Sequence, residues 1–220
     1  MPTGHLPVCP PAHHSASAPP AGETNLRVIK VKPDGRCLFR SIALSLARNS
    51  GRLLGPAAEE QEAGEATHPI PGERACLHGS SSCSSNIANQ PHARLSPPPI
   101  TDQLRLAVAE ALCRSPKRRG EFGEAVMAVQ AEDTLPRYCR RLVQPTFWGG
   151  EPEMLVLSKM LKVPIYVYLS TAEAGRGSTG YVSIMKYGEQ YARPGKDGKR
   201  RRPVRLLFSG QNHYDALIKA

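Results

Sequence analysis

The sequence predicts an α+β fold, a small central sheet flanked by helices. Three observations point there. Helical periodicities dominate up to about residue 161, whereas most strand-like runs follow it, which favours segregated helices and strands over a doubly wound sheet. All 12 aromatic residues fall within 25–48 and 99–220, so the material for a core is confined to those two stretches. Between them, residues 49–98 hold clusters such as Ser80-Ser81-Ser82 and Pro97-Pro98-Pro99, with no aromatic at all.

The elements follow in order. Residues 1–24 carry six prolines and read as a disordered Pro/Ala-rich leader. The domain then runs from 25 to 220, opening on a short alternating strand within Leu26–Lys32. Leu38, Ile42, Ala43 and Leu46 share one face of a helix over Cys37–Arg48. Residues 49–98 are a low-complexity insertion, because a structureless connection of that length is uncommon inside a compact domain. Thr101 is the expected N-cap of the next helix, with Asp102 at its positive end and Leu104, Val108, Ala111 and Leu112 as its apolar stripe. Phe122–Val129 and Leu135–Val143 read as helices, and Pro152 suits the first turn of another that continues through Leu155 to Leu161. Val163–Leu169, Tyr181–Met185, Val204–Phe208 and His213–Ile218 read as strands.

Composition removes several function classes. No apolar run reaches 18 residues, so no membrane span is expected. The first 24 residues hold neither Lys nor Arg and no apolar core segment, which argues against a secretory signal. The six cysteines include no C-x-x-C pair, which disfavours a zinc ribbon or a thioredoxin-like site and makes a reducing, cytoplasmic setting the simplest reading. No cofactor or metal is expected. Cys76, His78 and Cys83, with His68, fit no standard zinc spacing and read as scattered residues of a Ser-rich loop.

Three segments carry candidate chemistry. In Asp34-Gly35-Arg36-Cys37-Leu38-Phe39-Arg40 a turn runs straight into a helix that starts at Cys37. The positive end of a helix favours thiolate, and the turn before it can aim consecutive backbone N–H groups at one point, where they would hold a developing oxyanion. Taken alone, Cys37 is equally a small buried residue at a helix start. In His213-Tyr214-Asp215 a strand puts His213 and Asp215 on one face, so Asp215 could orient the imidazole while its other nitrogen takes a thiol proton. Asp34 competes for the orienting role, and a half-exposed polar edge strand is the bland alternative. The third segment, Phe147-Trp148-Gly149-Gly150-Glu151-Pro152-Glu153, combines the only Trp with a glycine pair and a helix start.

Together these segments resemble the ovarian-tumour (OTU) family of cysteine proteases, whose pattern is D-G-x-C-L-F-R, then W-G-G before a helix and strand, then H-Y-D near the domain end. Leu135-Pro136-Arg137-Tyr138-Cys139 and Arg205-Leu206-Leu207-Phe208-Ser209-Gly210 look most like plant-type members. The resemblance covers about residues 25–48 and 99–220. It implies an OTU-like fold and a deubiquitinating enzyme that hydrolyses isopeptide bonds between the ubiquitin C-terminus and lysine, with no cofactor. It also implies Cys37 as nucleophile, His213 as general base, Asp34 or Asp215 as the acid, and the backbone of Gly35, Arg36 and Cys37 as the oxyanion loop. Trp148 takes a structural place near the cleft. Ubiquitin, polyubiquitin or a related modifier is the implied partner.

The charge of +10 supports a second reading, an inactive OTU-like basic module that binds nucleic acid or ubiquitin. Seven basic residues against Asp197 lie between Arg193 and Arg205, a run that also reads as a nuclear-localisation signal or, more plainly, as a solvated loop between strands.

Overall fold

The structure is a computed structural model that describes residues 26–51, 100–172, 180–196, 198, 200–210 and 212–219. The leader, nearly all of the 49–98 insertion, and His68, Cys76, His78 and Cys83 within it lie outside the described residues.

Strand β1 covers Leu26–Ile29, shorter than the predicted run, and a turn at Pro33–Arg36 leads into helix α1, Cys37–Asn49. Helix α2, Ile100–Ala109, continues as one π-helical turn over Glu110–Arg114. A five-residue helix α3 (Pro116–Gly120), then α4 (Gly123–Glu132), α5 (Leu135–Leu142) and α6 (Glu151–Leu161) complete the helical part. Strands β2 (Ile165–Ser170), β3 (Tyr181–Tyr187), β4 (Val204–Ser209) and β5 (His213–Lys219) follow, with a 3-10 turn over Glu189–Ala192 between β3 and β4. The α+β segregation expected from the pattern is what the chain adopts.

The five strands form one mixed sheet in the order β1-β5-β4-β2-β3, in which only β4 and β2 run parallel. The strand carrying His213 is therefore interior, flanked by β1 and β4, and is not the polar edge strand its H-x-D pattern permitted. Thr101 is not an N-cap either. The helix begins one residue earlier, and both Thr101 and Asp102 are buried in its first turn.

Alternation along the strands divides the apolar residues between two faces. Leu206 and Ala216 join the main core with Leu38, Phe39, Ile42, Val108, Leu112 and Val156, whereas Leu207 and Leu217 join a smaller cluster with Tyr168. Helix α1 packs on β5 and β4 and against α2, and it is buried along almost its whole length. Its polar residues explain how. Cys37, Ser41, Ser45 and Asn49 recur every fourth position and so share one face. Ser41 Oγ donates to the Tyr214 carbonyl at 2.9 Å, and Ser45 Oγ to that of Arg205 at 3.4 Å. Asn49 Nδ2 donates to the carbonyls of Arg202 and Pro203 at 3.2 and 3.0 Å. This stripe fastens α1 to β5 and to the chain entering β4, and it fixes where the Cys37 end lies.

Two of the six cysteines form a disulfide, Cys113–Cys139, joining the π-helical turn to α5. The reading of a reducing setting gave no hint of it. Among the described residues no helix is long and apolar enough to cross a membrane, and no group of three or more His, Cys, Asp or Glu could hold a metal ion.

Candidate active site

The turn before α1 is built by backbone hydrogen bonds: the Asp34 N–H donates to the Lys32 carbonyl at 2.9 Å, and the Cys37 N–H to the Asp34 carbonyl at 3.0 Å. Cys37 therefore stands at the first position of the helix, as predicted, and is 1% exposed. Burial pushes its thiol pKa up. Backbone hydrogen bonds from Tyr214 and Leu38 act the other way, Asp34 adds to the rise and Arg40 opposes it. The Cys37 Sγ donates to the Asn212 carbonyl at 3.8 Å. The sulfur thus touches the backbone on both sides of His213. Asn212 itself has a left-handed backbone, φ 65°, a conformation that Asn tolerates better than most residues.

His213 and Asp215, two apart on β5, share a face. Nε2 of His213 lies 3.0 Å from Asp215 Oδ1, while Nδ1 is buried and has no hydrogen-bond partner among the described residues. In a neutral imidazole, donation to a carboxylate that only accepts would place the proton on Nε2 and leave Nδ1 as the acceptor. Asp215 is fully buried. It also accepts from the Val31 N–H at 3.0 Å and from Lys30 Nζ at 2.8 Å, both in the segment after β1. Asp34 sits elsewhere. Its Oδ1 accepts from the Arg36 N–H at 2.8 Å and from Arg40 Nη1 at 2.6 Å. Of the two candidate acids, Asp215 is the one bonded to His213.

The expected oxyanion donors are unequally available. The Arg36 N–H is taken by the Asp34 carboxylate and the Cys37 N–H by the Asp34 carbonyl, whereas the Gly35 N–H has no partner among the described residues. The Phe147–Gly150 loop lies beside this turn. Phe147 is buried edge-on to Tyr138 at 5.7 Å, and Trp148 is 41% exposed. A cavity of about 420 Å³ is lined there by Tyr138, Phe147, Trp148, Gly149, Asn212 and Tyr214, among others.

Several supporting roles escaped the sequence reading. Asp102 serves Arg36, whose Nε donates to it at 2.9 Å. Glu153, fully buried, accepts from Tyr138 Oη and, at 2.5 Å, from the Gly150 N–H, so it closes the glycine loop onto α6. Burial raises its pKa, opposed by the Gly150 and Tyr138 hydrogen bonds. Arg105 belongs to the same group. The available signal was position, since Arg105 lies between Leu104 and Val108 on the apolar stripe, where a solvated cation does not belong. Lys30 had no local signal.

The description "OTU-like cysteine protease" matches residues 75–214 of this chain, a stretch that holds Trp148 and His213 and begins after Cys37. The chain is 37% identical over 194 residues to OVARIAN TUMOR DOMAIN-containing deubiquitinating enzyme 3 of Arabidopsis thaliana, covering 86% of this chain and 67% of that protein. A span of 86% includes Cys37 wherever it begins. It is 32% identical over 195 residues to OVARIAN TUMOR DOMAIN-containing deubiquitinating enzyme 4 of the same plant, covering 89% of this chain but only 44% of that protein. Among solved structures it is similar to the viral OTU domain protease from Dera Ghazi Khan virus. That likeness has 17% identity and a TM-score of 0.48, over 89% of this chain and 82% of the other.

Proposed function

The chain belongs to the OTU-like cysteine protease family, and from that premise we propose that it is a deubiquitinating enzyme in which Cys37, His213 and Asp215 hydrolyse the isopeptide bond between the ubiquitin C-terminus and a lysine. One observation carries the assignment of roles. A buried thiol touches the backbone on both sides of a histidine whose Nε2 is tied to a buried carboxylate and whose Nδ1 has no partner among the described residues.

The chemistry follows from that arrangement. His213 Nδ1 takes the Cys37 proton as Sγ attacks the carbonyl of ubiquitin's terminal glycine. Asp215 keeps the other imidazole proton on Nε2 and stabilises the imidazolium that forms. Negative charge moves to the former carbonyl oxygen, and the Gly35 N–H, left open in the turn before Cys37, is the donor we assign to it. The intermediate collapses as the imidazolium protonates the leaving lysine amine, and a thioester remains on Cys37. Water, losing a proton to His213, then attacks the thioester and releases ubiquitin with a free carboxylate and the thiol restored.

The test is a ubiquitin whose C-terminus carries a thiol-reactive electrophile. Wild type is expected to form a covalent adduct, Cys37→Ala none, and His213→Ala an adduct only slowly. Exposed Arg193, Arg200, Arg201 and Arg202 support the second reading, a basic binding module. Folded wild type that forms no adduct but shifts nucleic acid in a salt-dependent way would establish that reading instead.

A further inference from the structure

We propose that Arg105 is a positioning residue for hydrolysis, the group that holds the Gly35 peptide so that the turn before Cys37 meets the oxyanion. The inference rests on the deubiquitinase reading above.

Arg105 is 1% exposed; both terminal nitrogens of its guanidinium donate to main-chain carbonyls, while its buried Nε has no partner among the described residues. Nη2 donates to the Gly35 carbonyl and, at 3.4 Å, to that of Phe147. Nη1 donates to the Gln144 carbonyl and, at 3.4 Å, to that of Leu142. Its Cζ lies over the Phe39 ring, 5.0 Å from the centroid. One side chain on α2 thereby ties the turn before the thiol to the whole 142–147 segment. Burial draws its pKa down to about 10, with Arg36 adding to the fall and Asp102 and Glu153 opposing it, so it stays protonated at neutral pH.

The geometry of a trans peptide turns this anchor into an orientation. The Gly35 carbonyl and the Arg36 N–H belong to one planar unit and point in opposite directions. With the carbonyl drawn in by Arg105, the Arg36 N–H is aimed outward, where it meets the Asp34 carboxylate. The Gly35 N–H, the donor left open, belongs to the preceding peptide and shares the Gly35 Cα with the anchored carbonyl, so Arg105 acts on it through the Gly35 backbone.

A second observation reaches the same contact from the other side. A Cβ on Gly35 would stand 2.3 Å from the Pro145 carbonyl oxygen, 2.7 Å from that of Phe147 and 2.9 Å from the Thr146 carbonyl carbon. These are backbone atoms, so the turn must move if the glycine is replaced. Arg105 and Gly35 therefore hold one interface between two backbone segments. A leucine at 105 would continue the apolar stripe without a buried charge; the cation in that place has a geometric task that packing alone does not require.

The experiment compares wild type with Arg105→Lys, Arg105→Met and Gly35→Ala. It measures kcat and KM on ubiquitin with a fluorogenic C-terminal amide, thermal melting, and the rate of Cys37 alkylation by iodoacetamide, which develops no oxyanion. It also measures inhibition by ubiquitin C-terminal aldehyde. There the thiol adds across the C=O, its proton passing to the oxygen, and that oxygen sits where the oxyanion would. In folded Arg105→Lys and Gly35→Ala, kcat is expected to fall by about 10²-fold, the scale of losing one oxyanion donor. KM is expected to stay within about twofold, the aldehyde to weaken by the same factor as kcat, and alkylation to stay near wild type. Variants that keep kcat, that lose kcat and alkylation in equal measure, or that all fail to fold overturn the assignment. Wild type that alkylates but turns over no ubiquitin substrate instead overturns the deubiquitinase reading, and the positioning role with it.

Discussion

A carboxylate with no exposed surface survives only where donors replace its water, and Asp215 has three: His213 Nε2, the Val31 N–H and Lys30 Nζ. Two of these come from the segment after β1, so the acid is held independently of the histidine it orients. Asp34 is 30% exposed at its side chain and neutralises Arg40, which is 4% exposed. The two acids therefore predict different failures. Asp215→Ala is expected to lower kcat on a ubiquitin substrate by about 10²–10⁴-fold, because the imidazole loses both its tautomer and its support. Asp34→Asn keeps an acceptor for the Arg36 N–H but leaves Arg40 without its counter-charge. The expected result is a stability loss of about 1–3 kcal/mol with kcat reduced less than about tenfold. Urea unfolding and initial rates measure the two quantities. Equal loss of kcat in both variants would give Asp34 the orienting role.

At the scale of elements, the site depends on two helix starts brought to one strand end. Helix α1 is fastened along β5 and β4 by the Ser41, Ser45 and Asn49 stripe, and α6 holds the glycine loop through Glu153. Glu153 has its pKa raised by burial, so the folded protein binds its proton more tightly than the unfolded chain does. The stability that proton gives is complete below the ordinary glutamate range and is lost as pH rises through the folded-state value. Glu153→Gln keeps an acceptor for the Gly150 N–H and does not ionise. Wild type is therefore expected to lose unfolding free energy relative to Glu153→Gln as pH climbs above about 4.5, in urea titrations at a series of pH values. A difference that does not change with pH would contradict the assigned direction. The elements with a clear period were legible in the sequence: α1 starts at Cys37 and β5 at His213, as the pattern required. Helix α3 was not, because Pro-Lys-Arg-Arg-Gly has no apolar face to report. The interior place of β5 was hidden for another reason. Strand order is a non-local property, and β1, only four residues long, carries little pattern of its own. The same non-locality hid Lys30 and the task of Arg105, whose partners are backbone groups far along the chain.

For the whole molecule, the Cys113–Cys139 disulfide is a cross-link beneath the site. It closes a loop of 26 residues in sequence separation and joins the end of the helix that carries Arg105 to the helix that carries Tyr138. Tyr138 lies next to Cys139 in sequence, donates to Glu153 and packs on Phe147, so the bridge braces the loop that Arg105 clamps from the other side. Closing such a loop in the unfolded chain contributes about 3–4 kcal/mol on the chain-entropy estimate. The nucleophile has the opposite redox requirement, since only a reduced Cys37 attacks. Cys139→Ser, or reduction of wild type, is expected to lower the unfolding free energy by about 2–4 kcal/mol. Well below the melting transition, the yield of the ubiquitin-electrophile adduct on Cys37 is expected to persist, because the thiol and His213 are held by α1 and β5 rather than by the bridge. Unchanged stability after reduction would mean that the bridge carries no load in solution. Loss of adduct in a folded Cys139→Ser protein would instead make the bridge part of what shapes the cleft.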